Sequence, residues 1–303
     1  MQQNAQTVYE KQTKKASTLD AFFVAVFLLL FCINPAQAKN CSSSKLGSPE
    51  KAQVKWVYDG DTLLLKDKRK IRVIGIDTPE VKHHKQKSQA YAAKAREALR
   101  ELLKRFNYHI ILRYGAEKRD RYSRDLAHVY LPDGTNIANW LLQRGYAKSM
   151  PIPPNIALAR CYKIAEQKAQ QQHLRIWRYQ ENQIKTATTL SPRYTGYIRL
   201  EARVKQLKHY KKSLIIMLDS NSRRTLRIKI KKKNLNYFKT LNLNKLRNKT
   251  IIVTGILKSH YGKRTIYVNY PTQLQILQKK GTHSKSSKAP VKNNAMIKWS
   301  LKK

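Results

Sequence analysis

Apolar and polar side chains alternate in three short runs between residues 54 and 76, and this period of two predicts β-strands. The runs cover residues 54–58, 62–66 and 71–76, with turn sequences at 59–61 and 67–70. In the third run, Arg72, Ile74 and Ile76 are expected on one face. Pro79 then ends the strand, because proline cannot donate a ladder hydrogen bond. The pattern predicts a three-stranded meander with acidic residues in its first turn and after its last strand.

The apolar spacing changes after Ser88 to steps of three and four, which is typical of an amphipathic helix with Ser88 as its cap. The apolar positions of this helix are Tyr91, Ala95, Leu99, Leu102 and Phe106. Two further strands are expected over 109–113 and 127–131, on either side of a charged loop at 115–125.

Two more helices are predicted after these strands. Asn136 and Gly145 are residue types that cap and end helices, so a helix is expected over 137–143. Another helix should begin after Pro153-Pro154, with Asn155 as its cap. Five strands and three helices in this order favour a small β-barrel with helices packed against it.

The second half of the chain repeats the strand pattern after a polar stretch at 181–192, which is expected to be a linker. Strands are predicted over 197–207, 214–218, 225–230, 250–257 and 265–268, with a helix over 234–246. This order is similar to that of an OB-fold, a five-stranded barrel that commonly binds single strands. The fold class expected for the chain is α+β: an OB-type five-stranded barrel with three helices, followed by a second, smaller OB-like barrel.

Residues 21–33 form an unbroken apolar run, preceded by three lysines and followed by Ala36-Gln37-Ala38. The run is short for a spanning helix, and the alanines match a signal-peptidase site. A cleaved signal peptide over 1–38 is therefore expected, with a periplasmic or secreted product and no stable membrane partner after cleavage. An uncleaved membrane anchor is the alternative. Export would place Cys41 and Cys161 in an oxidising setting, where a disulfide can form, although the sequence leaves the pairing open.

The chain is strongly basic, with 62 lysines and arginines against 18 acidic residues and a net charge of +44. Such a charge attracts polyanions, so nucleic acid is the leading partner and an anionic membrane surface the competing one. A basic band over 223–233, with Tyr261, Tyr267 and Tyr270, predicts either a nucleic-acid groove or a solvated basic face. Both interpretations of the band stay open.

The chemistry-bearing residues gather at two places in the first half. Residues 59–62 (Asp-Gly-Asp-Thr) and 77–80 (Asp-Thr-Pro-Glu) place carboxylates at strand ends, and Arg72 lies between them. Residues 120–124 (Asp-Arg-Tyr-Ser-Arg) add arginines in a loop. Carboxylate oxygens suit a hard cation, and guanidinium groups suit a phosphate, so the set is typical of phosphodiester cleavage.

These motifs resemble those of the thermonuclease family, the staphylococcal-nuclease-like secreted enzymes with an OB-type barrel. The matching segments are 59–62, Arg72 five positions before 77–80, 120–127, and the 172–177 sequence Gln-His-Leu-Arg-Ile-Trp. The resemblance implies that Ca²⁺ is held by Asp61, Asp77 and the Thr78 carbonyl. It also implies that Glu80 acts on the attacking water, that Arg72 and Arg124 bind the scissile phosphate, and that the products of DNA and RNA cleavage carry 3′-phosphates.

Two further residues of the arginine loop, Arg121 and Tyr122, are candidate substrate contacts. The chain departs from the family at 149–154 (Ser-Met-Pro-Ile-Pro-Pro), where well-known members carry tyrosines that line the nucleotide pocket. Asp59 is expected to stabilise its turn rather than bind metal.

The predicted domains are a signal peptide (1–38), a lead-in (39–53), a nuclease-like catalytic domain (54–180), a linker (181–192), a basic OB-like domain (193–278) that binds nucleic acid, and a disordered lysine-rich tail (279–303). A monomer is expected. One alternative function is an exported nucleic-acid-binding protein with an inactive site. Another is a cationic protein that acts at membrane surfaces.

Overall fold

The computed structural model describes residues 41–42, 44–81, 89–220 and 225–277. The predicted signal peptide, the predicted cap Ser88, Arg223 and Arg224 of the basic band, and the predicted lysine-rich tail lie outside these residues. Within the described ranges, no helix combines the length and apolar content needed to cross a membrane.

The first half forms a closed five-stranded barrel, as the sequence predicts. Its strands and the short pair beside it are β1 (Glu50–Val57), β2 (Thr62–Leu65), β3 (Lys70–Val73), β4 (Ile76–Asp77), β5 (His109–Arg119), β6 (Asp125–Tyr130) and β7 (Lys148–Ser149). The barrel order is β1-β2-β3-β6-β5, and β4 pairs with β7 in a separate sheet. The helices are α1 (Ala92–Lys104), α2 (Ile137–Gln143) and α3 (Ala159–Gln171). Apolar residues of strands and helices share one core.

The prediction of one continuous strand over 71–76 is wrong, because the chain turns at Gly75. Gly75 has φ +85°, which a glycine adopts without steric penalty. A Cβ at this position would also lie 2.7 Å from the Tyr162 ring. The turn separates β3 from β4, so Arg72 and Ile76 belong to different sheets. Arg72 stays in the barrel wall while Asp77 pairs with Lys148.

Asn136 and Asn155 illustrate one confirmed cap and one wrong cap. The Asn136 side chain accepts a hydrogen bond from the Asn139 backbone at 2.9 Å and begins α2 as predicted. Asn155 instead makes two hydrogen bonds to the Glu117 backbone. Its Oδ1 accepts from the Glu117 N at 2.9 Å, and its Nδ2 donates to the Glu117 carbonyl at 2.8 Å. The helix α3 therefore begins at Ala159 rather than just after Asn155. The same contact helps β5 to extend to Arg119, where a loop was expected.

A disulfide joins Cys41 to Cys161, with the two Cα atoms 5.8 Å apart and a sequence separation of 120. Cys41 is buried in the barrel core together with Leu46. The Cys41 carbonyl accepts a hydrogen bond from the Tyr130 hydroxyl at 3.0 Å. The segment before Val54 is therefore part of the packed domain, and β1 begins at Glu50 rather than at residue 54, where the sequence predicts the first strand.

The second half forms another closed five-stranded barrel, as predicted. Its strands are β9 (Gly196–Tyr210), β10 (Ser213–Leu218), β11 (Leu226–Lys231), β12 (Thr250–His260) and β13 (Lys263–Tyr267), with β8 (Ile184–Thr186) and β14 (Leu274–Ile276) at the edges. Pairing of β12 with β9 closes the barrel. Two predictions are wrong here: the expected linker supplies β8, and the expected helix over 234–246 is two 3₁₀ segments, Lys232–Phe238 and Leu243–Leu246.

A buried hydrogen-bond network holds α2 and α3 to β6. His128 Nδ1 lies 2.9 Å from the Tyr162 hydroxyl, which accepts from Asn136 Nδ2 at 3.1 Å. Burial, with a smaller effect of the Arg113 charge, lowers the pKa of His128 to about 4. The folded protein therefore keeps this imidazole neutral at pH values where the unfolded chain protonates it.

We expect His128 to make the protein less stable in mild acid. Its folded pKa lies below the unfolded value, so stability falls as the pH drops from about 6.5 towards 4. Between pH 7 and pH 4.5 this group should account for about 2–3 kcal/mol of lost unfolding free energy. Urea denaturation of wild type and His128→Gln at both pH values measures the difference. Equal pH dependence in the two proteins would refute this prediction.

Candidate active site

Asp61 and Thr78 join the first turn of the barrel to the segment after β4. Asp61 Oδ2 accepts hydrogen bonds from the Thr78 backbone N at 2.7 Å and from Thr78 Oγ1 at 3.0 Å. Gly60 permits this approach, since a Cβ there would lie 2.6 Å from Thr78 Cγ2. Asp59 accepts from the Asp61 backbone at 3.0 Å, which is the turn contact that the sequence predicts. The two acidic segments are thus held against each other.

Arg72 lies between the two aspartates. Its Nη1 is 3.2 Å from Asp61 Oδ1 and its Nη2 is 3.6 Å from Asp77 Oδ1. Nη1 also donates to the Val73 carbonyl at 2.9 Å. The strands fix this geometry, because Arg72 pairs with Thr62, the residue after Asp61. One guanidinium group therefore bridges Asp61 and Asp77, the two carboxylates that the family resemblance implies as Ca²⁺ ligands.

The carboxylates of this cluster repel one another. Burial and, to a smaller degree, the charge of Asp61 raise the pKa of Asp77 to about 6, against the opposing effect of Arg72. Burial and the Asp61 charge also raise the pKa of Asp59 to about 6. The single positive charge of Arg72 does not balance the negative charges of three nearby carboxylates. Such a cluster favours the binding of an additional cation.

Glu80 lies beside this cluster, with its side chain exposed to solvent. Its backbone is held by Gln89 at both polar groups. The Gln89 backbone N donates to the Glu80 carbonyl at 3.2 Å, and the Gln89 side-chain Oε1 accepts from the Glu80 backbone N at 3.2 Å. The charge of Glu80 makes a small contribution to the raised pKa of Asp77. In the described part of the chain, no three His, Cys, Asp or Glu side chains form a metal-binding group on their own.

Arg124 lies on a separate loop that is ordered by Asp120. Arg124 Nε donates to Asp120 Oδ2 at 2.8 Å, and Asp120 Oδ1 accepts from the backbone of Tyr122 at 2.9 Å and of Arg124 at 3.0 Å. Burial alone would raise the pKa of Asp120, but these hydrogen bonds outweigh it and hold the pKa below its usual value. The partner of Arg124 is thus Asp120 and not its neighbour Asp125, which pairs with Arg119 at 3.1 Å.

Tyr122 stands out from this loop with 64% of its surface exposed. The guanidinium carbons of Arg121 and Arg124 lie 4.7 and 5.5 Å from its ring centre. Among the described residues, the hydrogen bonds and ion pairs that join Asp61, Arg72 and Thr78 do not extend to this loop. The loop enters β6 at Asp125, which lies beside Ile71 of β3, so Arg124 is carried on the strand next to that of Arg72.

Lys148 lies beside Asp77 and contacts Tyr197, and sequence reasoning did not select either residue. Lys148 is the register partner of Asp77, and burial lowers its pKa. Its Nζ lies 4.0 Å from the ring centre of Tyr197, which belongs to β9 of the second barrel. No local sequence pattern predicts such a contact, because it joins residues that are distant in sequence.

Comparison of the sequence with known proteins points to one family. A profile described as "Staphylococcal nuclease homologue" matches residues 70–179. The thermonuclease of Staphylococcus intermedius is 32% identical over 159 residues, which are 51% of this chain and 92% of that protein. The chain belongs to the staphylococcal nuclease family. It is a nuclease, a hydrolase that acts on nucleic acids.

Two further relatives extend the family match. The thermonuclease of Staphylococcus hyicus is 33% identical over 125 residues, 40% of this chain and 72% of that protein. Endonuclease YncB of Bacillus subtilis (strain 168) is 31% identical over 150 residues, 46% of this chain and 70% of that protein. The staphylococcal nuclease profile ends at residue 179, so β8 and the second barrel lie beyond the matched region.

Proposed function

We propose that this nuclease is calcium-dependent and hydrolyses DNA and RNA to products with 3′-phosphates. The observation that carries the proposal is the Arg72 guanidinium, which lies within 3.6 Å of both Asp61 and Asp77. Positive and negative groups placed so closely in a basic protein suit a substrate that brings its own negative charge, together with a cation.

The donor atoms at this site fit a calcium ion. Asp61 and Asp77 offer hard carboxylate oxygens, and Thr78 adds a backbone carbonyl, the ligand types that Ca²⁺ prefers. Burial and, to a smaller degree, the charge of Asp61 raise the pKa values of Asp59 and Asp77, and a cation at this position would offset both effects. Bound there, Ca²⁺ would supply Lewis-acid stabilisation of the negative charge on the phosphate.

The side chains around the proposed metal site have separable roles. Arg72 would bind a non-bridging phosphate oxygen, and its planar donors stabilise the charge that grows as the phosphorus becomes five-coordinate. Glu80, exposed beside Asp77, would accept a proton from the attacking water or orient it. Arg124 would reach the same phosphate from its loop, where Asp120 fixes its orientation. Arg121 and the exposed Tyr122 would contact the flanking nucleotide.

The second barrel supports nucleic-acid binding by its charge pattern. Along β11 the buried residues alternate with Arg227, Lys229 and Lys231 on the outer face. Lys229 lies beside Tyr267 of β13 in register. A row of cations next to an aromatic ring is the arrangement with which OB-type barrels bind single strands. Export is also part of the proposal and draws support from the Cys41–Cys161 disulfide, since such bonds persist in oxidising compartments. The monomeric state stays a prediction.

Calcium binding provides the test of the metal site. Asp77→Asn should weaken Ca²⁺ affinity by at least about tenfold, because the site loses a charged ligand. It should also lower nuclease activity at limiting Ca²⁺. Isothermal titration calorimetry on the mature protein measures the affinity. The matched control is Asp67→Asn, an acid in the next turn whose carboxylate pairs with Arg69. Equal affinity in Asp77→Asn and Asp67→Asn would contradict the proposed ligand set.

A further inference from the structure

A cleft of about 380 Å³ lies between the two barrels, next to the proposed catalytic cluster. One wall is the segment 149–152, which directly follows Lys148 of β7. The other wall belongs to the second barrel and includes Lys231, Ile256, Lys258 and Tyr267. None of the proposed metal, catalytic or arginine-loop residues lines it, so the cleft is a separate site.

The chemistry of the cleft suits one unit of a polyanion that carries flat rings. Lys231 and Lys258 are exposed cations at its second wall, and none of the described residues that line it is acidic. Tyr267 is half-buried there, with Ile256 beside it in register. The volume lies within the range of small-molecule sites, about 300–1,000 Å³. Cations beside an aromatic and aliphatic surface are the combination that binds phosphate and nucleobase together.

The first wall is physically continuous with the strand that carries Asp77. Ser149 pairs with Ile76, the residue before Asp77. The Met150 backbone N donates to the Gly75 carbonyl at 2.9 Å. Ile152 follows with 56% of its surface exposed. A single strand that leaves the Asp77 region along β7 therefore enters the cleft directly.

We propose that this cleft binds a nucleotide of a single-stranded substrate that flanks the scissile phosphodiester. In this arrangement Tyr267 stacks on the base, and Lys231 and Lys258 bind the adjoining phosphate. The inference rests on the proposed nuclease function and extends it, because both barrels then build the substrate site. It also accounts for the sequence 149–154, which lacks tyrosines: the aromatic surface comes from the second barrel.

Binding of a fluorescent 12-nucleotide single-stranded DNA, and of the RNA of the same sequence, tests the cleft. The mature full-length protein is used in chelator, where the proposed function predicts no cleavage. Tyr267→Leu should weaken binding by about tenfold, and Tyr267→Phe, which keeps the ring, should bind like wild type. Lys231→Ala/Lys258→Ala should also lose about tenfold and lower the slope of log Kd against log salt by up to about 1.4.

Two controls separate this proposal from general charge effects and from failure of the nuclease. Lys205→Ala/Lys249→Ala removes two exposed lysines that lie outside the cleft, and it should change Kd by less than about twofold. Each protein is also assayed with Ca²⁺ on bis(4-nitrophenyl) phosphate, which has no base, and the cleft variants should retain wild-type kcat/KM.

Four results would overturn or separate the two proposals. Wild-type binding by Tyr267→Leu, or an equal loss in the Lys205/Lys249 control, would overturn the cleft assignment. A loss of activity on bis(4-nitrophenyl) phosphate in the cleft variants would also overturn it, since it would show damage to the catalytic cluster. Wild-type protein that cleaves no substrate would contradict the proposed nuclease function, while cleft-dependent binding in chelator would still support the cleft.

Discussion

Replacement of Arg72 by alanine should lower kcat/KM on single-stranded DNA by at least about 10³-fold. The guanidinium is the group that faces both Asp61 and Asp77, at 3.2 and 3.6 Å. Its removal takes away positive charge where the transition state becomes more negative, and it leaves the two carboxylates to repel the phosphate. The effect should fall mainly on kcat, because the interaction strengthens as the transition state forms.

Arg72→Lys and Arg69→Ala distinguish this role from a general loss of charge. Lysine keeps the charge but cannot hold two partners with a planar group, so Arg72→Lys should still lose about 10²-fold. Arg69 is a matched control from the same hairpin, where it pairs with Glu50 and Asp67. Arg69→Ala should lower stability slightly and leave kcat/KM within about threefold of wild type. Near-normal activity in Arg72→Ala, with a folded circular dichroism spectrum, would refute the role of Arg72.

Loss of the Cys41–Cys161 disulfide should destabilise the protein by about 4–5 kcal/mol. The bond closes a loop of 120 residues, and the chain-entropy relation gives a contribution of this size for so long a loop. The loop contains the whole first barrel, α1 and α2, so its closure restricts the unfolded state of most of the catalytic domain. The loss should be large compared with a typical domain stability of about 5–15 kcal/mol.

Urea denaturation of the mature protein measures this effect with and without reductant. Cys41→Ser/Cys161→Ser should have a midpoint close to that of the reduced wild type and well below that of the oxidised wild type. Reductant should leave the midpoint of the double variant unchanged, because no other cysteine remains after removal of the predicted signal peptide. Coincident midpoints for oxidised and reduced wild type would show that the bond does not form or does not stabilise the fold.

The sequence predicts both barrels because alternation of apolar residues follows directly from strand geometry. It misses the break at Gly75, where the backbone adopts a positive φ and lies against Tyr162, a residue distant in sequence. It also misassigns Asn155, whose type suits a helix cap but whose side chain instead satisfies the backbone of β5. Local propensity cannot choose between two partners when the second one lies 38 residues away in the chain.

In the site too, contacts between residues near in sequence are predictable, and contacts between distant residues are not. The Asp61, Arg72 and Asp77 cluster is predictable, because a hairpin brings Arg72 into register with Thr62, the residue after Asp61, and Asp77 follows in the next strand. Lys148 and Tyr197 are not predictable in this way, since their contact depends on how the second barrel packs against β7. The inter-barrel cleft likewise has no sequence signature, although Lys231 and Tyr267 in its lining belong to the predicted basic band and its tyrosines.

The most direct test of the account is the release of acid-soluble nucleotides from single-stranded DNA by the mature protein, in Ca²⁺ and in chelator. We predict release in Ca²⁺, none in chelator, and loss of at least about 10³-fold in Arg72→Ala/Glu80→Gln. Equal release in chelator would contradict calcium dependence. No release in Ca²⁺, despite tight DNA binding, would contradict the proposed activity and leave nucleic-acid binding as the function of the chain.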